Sequence, residues 1–328
     1  MAVVVVTTMA FTKDPAALVP LEAAGHEVRF TPTGPGATEE RVVEALKGAS
    51  AVIAQTEPYT GRVFDRLPEL KIVARSGVGF DAVDVEAATE RGVLVTTTQG
   101  GNDWAVADHA FGLMLALCHR ILPSDRAARA GKWERPVGVD LWQKTLGLVG
   151  LGRIGKGMVM RAEGFRMRVL ATEPYPDREF IVQHGVELVP LDELMRRSDF
   201  ISLHLPSTAE TRHIIDEERL SLMKPTAYLV NTARGTLIDE AALEAALDAG
   251  RLAGAGLDVR EVEPPNDTRF SRFDNVVLTT HIAGVTEEAL DAMGKMAAQS
   301  AADALAGRKP HGLVNPEAWE RRRMKDAG

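Results

Sequence analysis

The sequence predicts an α/β protein of two doubly wound parallel-sheet domains. Short runs rich in valine and isoleucine alternate with helical patterns from the first residue onward. Near mid-chain, the apolar run Leu146 to Val149 leads into three spaced glycines, Gly150, Gly152 and Gly155, and then a helical stretch. The same strand–helix alternation resumes beyond it and continues almost to the end. Repeated βα units of this kind imply parallel sheets covered on both faces.

In chain order, Ala2 to Val6, Glu27 to Phe30, Ala51 to Ala54, Lys71 to Ala74 and Val93 to Thr96 read as strands. Helical segments lie near Pro15 to Ala24, Glu39 to Leu46, Gly61 to Leu67 and Val85 to Arg91, with Gly25 and Gly92 where helix ends favour glycine. This block carries no phosphate-binding fingerprint and reads as a flavodoxin-like domain. Asp103 to Arg120 is a longer helical pattern, with Asp103 as its expected cap. It is apolar on most sides, which argues for burial between two domains. From Thr145 a second block begins. Its further strands are Met167 to Ala171, a poor one near Val186 to Val189, Phe200 to Leu203, Ala227 to Asn231, Gly254 to Val259 and Val276 to Thr279. The alanine-rich helix Thr286 to Leu305 is expected to cross back to the first domain. A discontinuous substrate-binding domain is therefore expected over residues 1–100 and 288–328, with a nucleotide-binding domain over 101–287.

Each glycine of the mid-chain unit has its own task. Gly150 permits a tight turn, Gly152 lets backbone approach a pyrophosphate, and Gly155 allows close helix–strand packing. The helix that starts there, at Arg153 and Ile154, points its unpaired N–H groups and dipole at phosphates. The full fingerprint also needs an acidic residue about 20 residues on, after the next strand. Glu173 stands there. A carboxylate at that point pairs with a free ribose 2′-hydroxyl and repels a 2′-phosphate, which favours NAD over NADP; Arg178 nearby works against that preference. The second domain thus reads as a Rossmann NAD-binding domain.

Ligands of open α/β sheets bind beyond the carboxyl ends of strands. That rule selects Arg234, Glu263 and His281. An arginine can hold a carboxylate and a carbonyl oxygen with parallel hydrogen bonds. A histidine can give and take a proton near neutrality, and a carboxylate beside it fixes the ring. Together they suit hydride transfer to a 2-oxo acid. Taken singly, each has an ordinary reading: a solvated arginine, a turn glutamate before Pro264, a structural histidine.

Several long stretches resemble the D-isomer-specific 2-hydroxyacid dehydrogenases. They are ARSGVGFDAVD (Ala74 to Asp84), GKWER (Gly131 to Arg135), TLGLVGLGRIG, DFISLHLPSTAETRHIID (Asp199 to Asp216), LVNTARGTLIDEAAL (Leu229 to Leu243), GAGLDVREVEP and THIAG. The resemblance implies that Arg234 binds substrate, that His281 is the acid/base and that Glu263 is its partner. It implies that Ser76, Gly77, Val78 and Gly79 offer backbone N–H groups to a substrate carboxylate, with Asn102 at a hinge-side motif. It also implies cofactor contacts at His204, Pro206, Thr211, Thr232, Ala233 and Ala283, and an Asp258 near the nicotinamide carboxamide. No metal is implied. A homodimer through the nucleotide domain is, with the Asp103 helix at the contact, and two domains imply closure around ligand.

Departures from the family pattern are Glu173 for Asp, Thr280 and Thr98 for proline, Asp108 for Glu, and Arg260 for an aromatic. Arg260 is expected to add positive charge at the site mouth. After the third strand, Gln55, Thr56 and Glu57 stand where phosphoglycerate dehydrogenases carry a phosphate-binding arginine. That counts against a phosphorylated substrate and puts a small D-2-hydroxy acid of the glycerate, glyoxylate or lactate type level with 3-phosphoglycerate. A dinucleotide-sensing protein, such as the corepressors that resemble this family, is the alternative. Formate dehydrogenase is disfavoured by Glu263, where glutamine is expected.

Composition agrees with a soluble enzyme. The chain has 328 residues, 45% hydrophobic and 26% charged, and a net charge of −8 that argues against a nucleic-acid surface. The basic cluster Arg321 to Lys325 reads as a solvated tail. One cysteine, Cys118, fits a reducing cytoplasmic setting, and no targeting or membrane segment is evident.

Overall fold

The computed structural model describes residues 1–8, 15–34 and 36–323. The chain divides into two units, Met1–Asn102 with Val285–Gly328, and Asp103–Gly284. In the first, strands β1 (Val3–Val6), β2 (Glu27–Phe30), β3 (Ala51–Ala54), β4 (Ile72–Arg75) and β5 (Leu94–Thr96) form a parallel sheet of order β2-β1-β3-β4-β5. Helices α1 (Val19–Ala23), α2 (Glu39–Ala45), α3 (Gly61–Arg66) and α4 (Val85–Glu90) connect them. The strands β3, β4 and β5 are buried throughout, as continuous apolar runs in a two-sided parallel sheet must be. Thr38 and Asp84 start α2 and α4 by accepting the Arg41 and Ala87 N–H groups.

The expected helix Pro15 to Ala24 is divided. A 3₁₀ turn, Pro15–Leu18, precedes α1, whose first turn contains Pro20. A proline there has no N–H to hand back to the preceding turn.

The second unit runs from α5 (Asp103–Cys118) and α6 (Ile121–Arg129) into a seven-stranded parallel sheet. Its elements are β6 (Thr145–Val149), α7 (Arg153–Gly164), β7 (Arg168–Thr172), α8 (Arg178–His184), β8 (Glu187–Leu188), α9 (Leu191–Arg197), β9 (Phe200–Leu203), α10 (Glu217–Leu222), β10 (Tyr228–Asn231), α11 (Glu240–Asp248), β11 (Gly254–Leu257) and β12 (Val276–Leu278). The order β12-β11-β10-β9-β6-β7-β8 reverses direction between β6 and β9, which is where doubly wound sheets open a crevice for a dinucleotide. The weak strand near Val186 shrinks to two exposed residues at the sheet edge, where short strands limit mispairing.

One expectation changes on α5: Asp103 is the first residue of the helix and not its cap. Within the second unit, α5 packs against α7, β10, β11 and β12. Cys118 is buried there, and burial pushes its thiol up to about 11, so it is inert at neutral pH.

The chain then returns to the first unit as α12 (Glu287–Leu305), capped by Thr286, which packs its alanine face on β3 and β4. After it, fully buried Asn315 accepts the Val95 N–H at 2.9 Å and donates to the Val93 carbonyl at 3.0 Å. A last helix, α13 (Ala318–Arg321), precedes Arg323. The basic cluster is not a solvated tail over its described part: the Arg323 guanidinium donates to the carbonyls of Leu67, Pro68, Leu70 and Arg91. Lys325 lies outside the described residues.

Candidate active site

The three loops leaving β10, β11 and β12 lie side by side at the carboxyl edge of the second sheet. Each is shaped by its own backbone chemistry. After β10, the Asn231 amide accepts the Ala233 N–H at 3.0 Å and donates to the Arg234 carbonyl at 2.8 Å. This closes a tight turn, and the Arg234 guanidinium donates from Nη1 to the Ala233 carbonyl at 2.6 Å. After β11, Glu263 is turned back so that one oxygen, Oε1, accepts the Arg260 N–H at 2.9 Å. After β12, His281 occupies left-handed backbone at φ 56°, unusual for a residue with a Cβ.

That strained residue is held by a buried anchor. The carboxylate of Asp258 is inaccessible to solvent and accepts the Thr279 hydroxyl at 2.6 Å and the Ile282 and Ala283 N–H groups at 2.9 Å each. Its main-chain oxygen accepts the His281 N–H at 2.7 Å. His109 on α5 reaches Thr279 through its Nε2 at 3.0 Å. Asp258 therefore spends its hydrogen-bonding capacity on the loop that carries His281.

The outcome is a pair. Glu263 Oε2 meets His281 Nδ1 at 2.7 Å. A carboxylate can only accept, so Nδ1 carries the proton and Nε2 is left for a reacting group. Burial raises the Glu263 carboxyl, but hydrogen bonds from His281 and the Arg260 N–H, with the charges of His281 and Arg234, outweigh it. The carboxyl sits below its ordinary range and stays ionised. Arg234 is thus near enough to act on Glu263 electrostatically.

The nucleotide fingerprint lies along the same edge, between β6 and α7. Gly150 has φ 98°, and a Cβ on it would run into the His204 carbonyl. On Gly155 a Cβ would strike the Gly150 carbonyl, so this glycine serves the turn itself more than helix–strand contact. Gly152 has open space around its Cβ position and caps α7 with no side chain to accept the first-turn N–H groups, which begin at Arg153 and Ile154. An anion fits there. Glu173, directly after β7, accepts the Leu151 N–H at 2.8 Å and the Tyr175 N–H at 3.0 Å, which fixes its carboxylate against the glycine turn. Arg178 is exposed at the start of α8.

The remaining cofactor candidates occupy the loops after β9 and β10. His204 bonds Ser202 through Nε2 at 2.8 Å, while its buried Nδ1 has no partner among the described residues; burial pulls its imidazole down to about 3. Thr211 is tied to the Pro206 carbonyl at 2.8 Å, and the buried Thr232 hydroxyl has no partner among the described residues. Orphaned polar atoms after two neighbouring strands are what a site for a polar ligand leaves.

Other expected residues belong to the first unit. Ser76 to Gly79 follow β4, where the Arg75 guanidinium grips the Gly79 carbonyl at 2.9 and 2.7 Å. Asn102 closes that unit's first segment and has a buried Oδ1. Arg260 corrects its expectation. It is 10% exposed and paired with Glu240, so it adds no free charge to any site mouth. His109 and Thr279 go unnoticed in the sequence, because 170 residues separate them.

The family model of the D-isomer specific 2-hydroxyacid dehydrogenase NAD binding domain matches residues 111–283. The chain is also 43% identical over 284 residues to the glyoxylate reductase of Korarchaeum cryptofilum, covering 84% of this chain and 86% of that one. It belongs to this family. The dehydrogenase is an NAD-dependent oxidoreductase acting on a CH–OH group. It is 41% identical over 294 residues to the D-3-phosphoglycerate dehydrogenase of Methanocaldococcus jannaschii, spanning 88% of its own length but 56% of that relative. Among solved structures it resembles the D-lactate dehydrogenase of Aquifex aeolicus complexed with NAD and lactic acid. The TM-score is 0.80 at 29% identity, over 93% of this chain and 96% of that one. Among the described residues, no single helix of the dehydrogenase is long and apolar enough to cross a membrane.

Proposed function

We propose that the dehydrogenase interconverts a small 2-oxo acid and its D-2-hydroxy acid, glyoxylate type first, with Arg234, Glu263 and His281 as its catalytic residues. The observation that carries the reading is the 2.7 Å bond between Glu263 and His281 Nδ1, formed beside Arg234. Bound NADH supplies the hydride to the carbonyl carbon, and NAD accepts it in reverse. Arg234 holds the carboxylate and polarises the carbonyl oxygen. His281 delivers a proton from Nε2 to the oxygen as negative charge develops there. Glu263 keeps the ring in the required tautomer and stabilises the imidazolium. Gly150, Gly152, Gly155 and the start of α7 would hold the pyrophosphate, and Glu173 the adenosine ribose. That carboxylate favours NAD over NADP.

The turn after β3 bears on substrate size. There the buried Glu57 carboxylate accepts the Gln55 N–H and the Thr33 hydroxyl, each at 2.7 Å. The turn presents a fixed anion where a phosphate would need a cation.

The reading includes a homodimer. Helix α6 has no buried residue, and the segment after it exposes Trp133 by 85% and Val137 by 90%. Apolar side chains left this bare are the surface a second copy covers.

The test is NADH oxidation with glyoxylate, pyruvate, hydroxypyruvate and phosphohydroxypyruvate. Turnover on the small acids, with the phosphorylated one poorest, is the expected result. Tight NADH binding with no turnover on any of them would instead favour a dinucleotide sensor.

A further inference from the structure

We infer that the buried ion pair between Arg260 and Glu240 is a positioning device that aims Glu263 at His281. The inference rests on the reading of Glu263 and His281 as the acid/base pair.

The geometry is that of a clamp. Arg260 Nε and Nη2 donate to the two oxygens of Glu240 at 2.8 and 3.0 Å, a fork that fixes angle as well as distance. The side chains are 10% and 9% exposed. Nη2 also reaches Asp267 at 3.1 Å, and the guanidinium lies over the Phe270 ring, 4.7 Å from its centre. With edge and face both occupied, Arg260 is unavailable to substrate. Its work is done through the backbone.

Glu240 is the first residue of α11, at the end of the loop that begins with Arg234. Besides Arg260, it accepts the Glu261 N–H at 2.8 Å. Gly235, next to Arg234, lies so close to the Arg260 backbone that a Cβ could not fit between them. The pair therefore locks the loop after β10 to the loop after β11. Within the second loop, the Arg260 N–H holds Glu263 Oε1 and leaves Oε2 to His281. A carboxylate pinned at one oxygen points the other in a single direction. An aromatic residue at 260 would fill the volume but could not set the rotation of this backbone segment, because only the fork has a preferred orientation.

Arg260→Met, Glu240→Gln and the charge-free double variant Arg260→Phe/Glu240→Leu test this. The double variant leaves no stranded buried charge, so it keeps the fold if either single variant loses it. We expect kcat to fall about ten- to a hundredfold in each, as for other residues that orient a functional group. NADH affinity should stay within about twofold, since the glycine turn is untouched. Nitrogen NMR of the His281 ring should show one Nδ1–H tautomer in the wild type and a tautomer mixture in the variants. Wild-type kcat and an unchanged ring spectrum in folded variants would overturn the inference, as would a loss of NADH affinity parallel to kcat. A wild type that turns over no 2-oxo acid would defeat the functional reading alone, while the ring spectrum would still decide the clamp.

Discussion

At the scale of the residue, the chemistry reduces to where one proton sits. Nδ1 of His281 must carry it, because its partner Glu263 is an ionised acceptor. Replacing His281 with Ala should lower kcat by about 10²–10⁴, the usual worth of a positioned acid/base, while the NADH dissociation constant barely moves. Stopped-flow binding and steady-state turnover on one preparation separate the two. Glu173 behaves differently, since the cofactor contact proposed for it is joined to a structural one. Its carboxylate braces the Leu151 N–H inside the glycine turn. Glu173→Ala is therefore expected to weaken NADH binding and also to raise the relative use of NADPH. An unaltered NADH/NADPH preference would locate the discrimination in other residues.

At the scale of the element, the two ends of the glycine turn should respond in opposite ways. Gly155 presses on the Gly150 carbonyl, whereas Gly152 faces open space. Gly155→Ala is expected to cost about 1–3 kcal/mol of stability through overpacking, read as a lower midpoint in urea unfolding. Gly152→Ala should unfold like the wild type yet bind NADH poorly, because the new methyl would enter the space proposed for the phosphates. Equal unfolding and equal NADH affinity in both variants would remove the turn from cofactor binding.

At the scale of the whole molecule, acid stability should carry the signature of His204. Burial depresses its folded pKa from 6.5 to about 3, so the unfolded chain binds that proton more readily. Its contribution is full above pH 6.5 and is lost as pH falls toward about 3. Unfolding midpoints measured from pH 7 to pH 4 should fall less steeply in His204→Gln than in the wild type. Assembly is testable at the same scale. Sedimentation should give a dimer, and Trp133→Glu should shift it toward monomer by placing a charge on the bare apolar surface. A wild-type monomer at micromolar concentration would end the dimer proposal.

The order of strands and helices, the glycine turn and the position of Arg234, Glu263 and His281 beyond strand ends were readable in the chain because each is a local matter. Periodicity, turn chemistry and helix caps act over a few neighbours, and the carboxyl-edge rule then converts chain position into place on the sheet. Glu263 beside His281, 18 residues away, was expected only through the family resemblance, and the pairing of Arg260 with Glu240 across 20 residues was not readable at all. Arg323 closes on carbonyls more than 230 residues away. The charge expected from Arg260 at a site mouth is cancelled by its buried partner, and Asp258 turns inward to hold a loop. Those outcomes depend on which strands lie side by side and how deeply each charge is buried. Only the folded chain sets either quantity, because a side chain's pairing energy follows distance through space and the local dielectric, and separation along the backbone encodes neither.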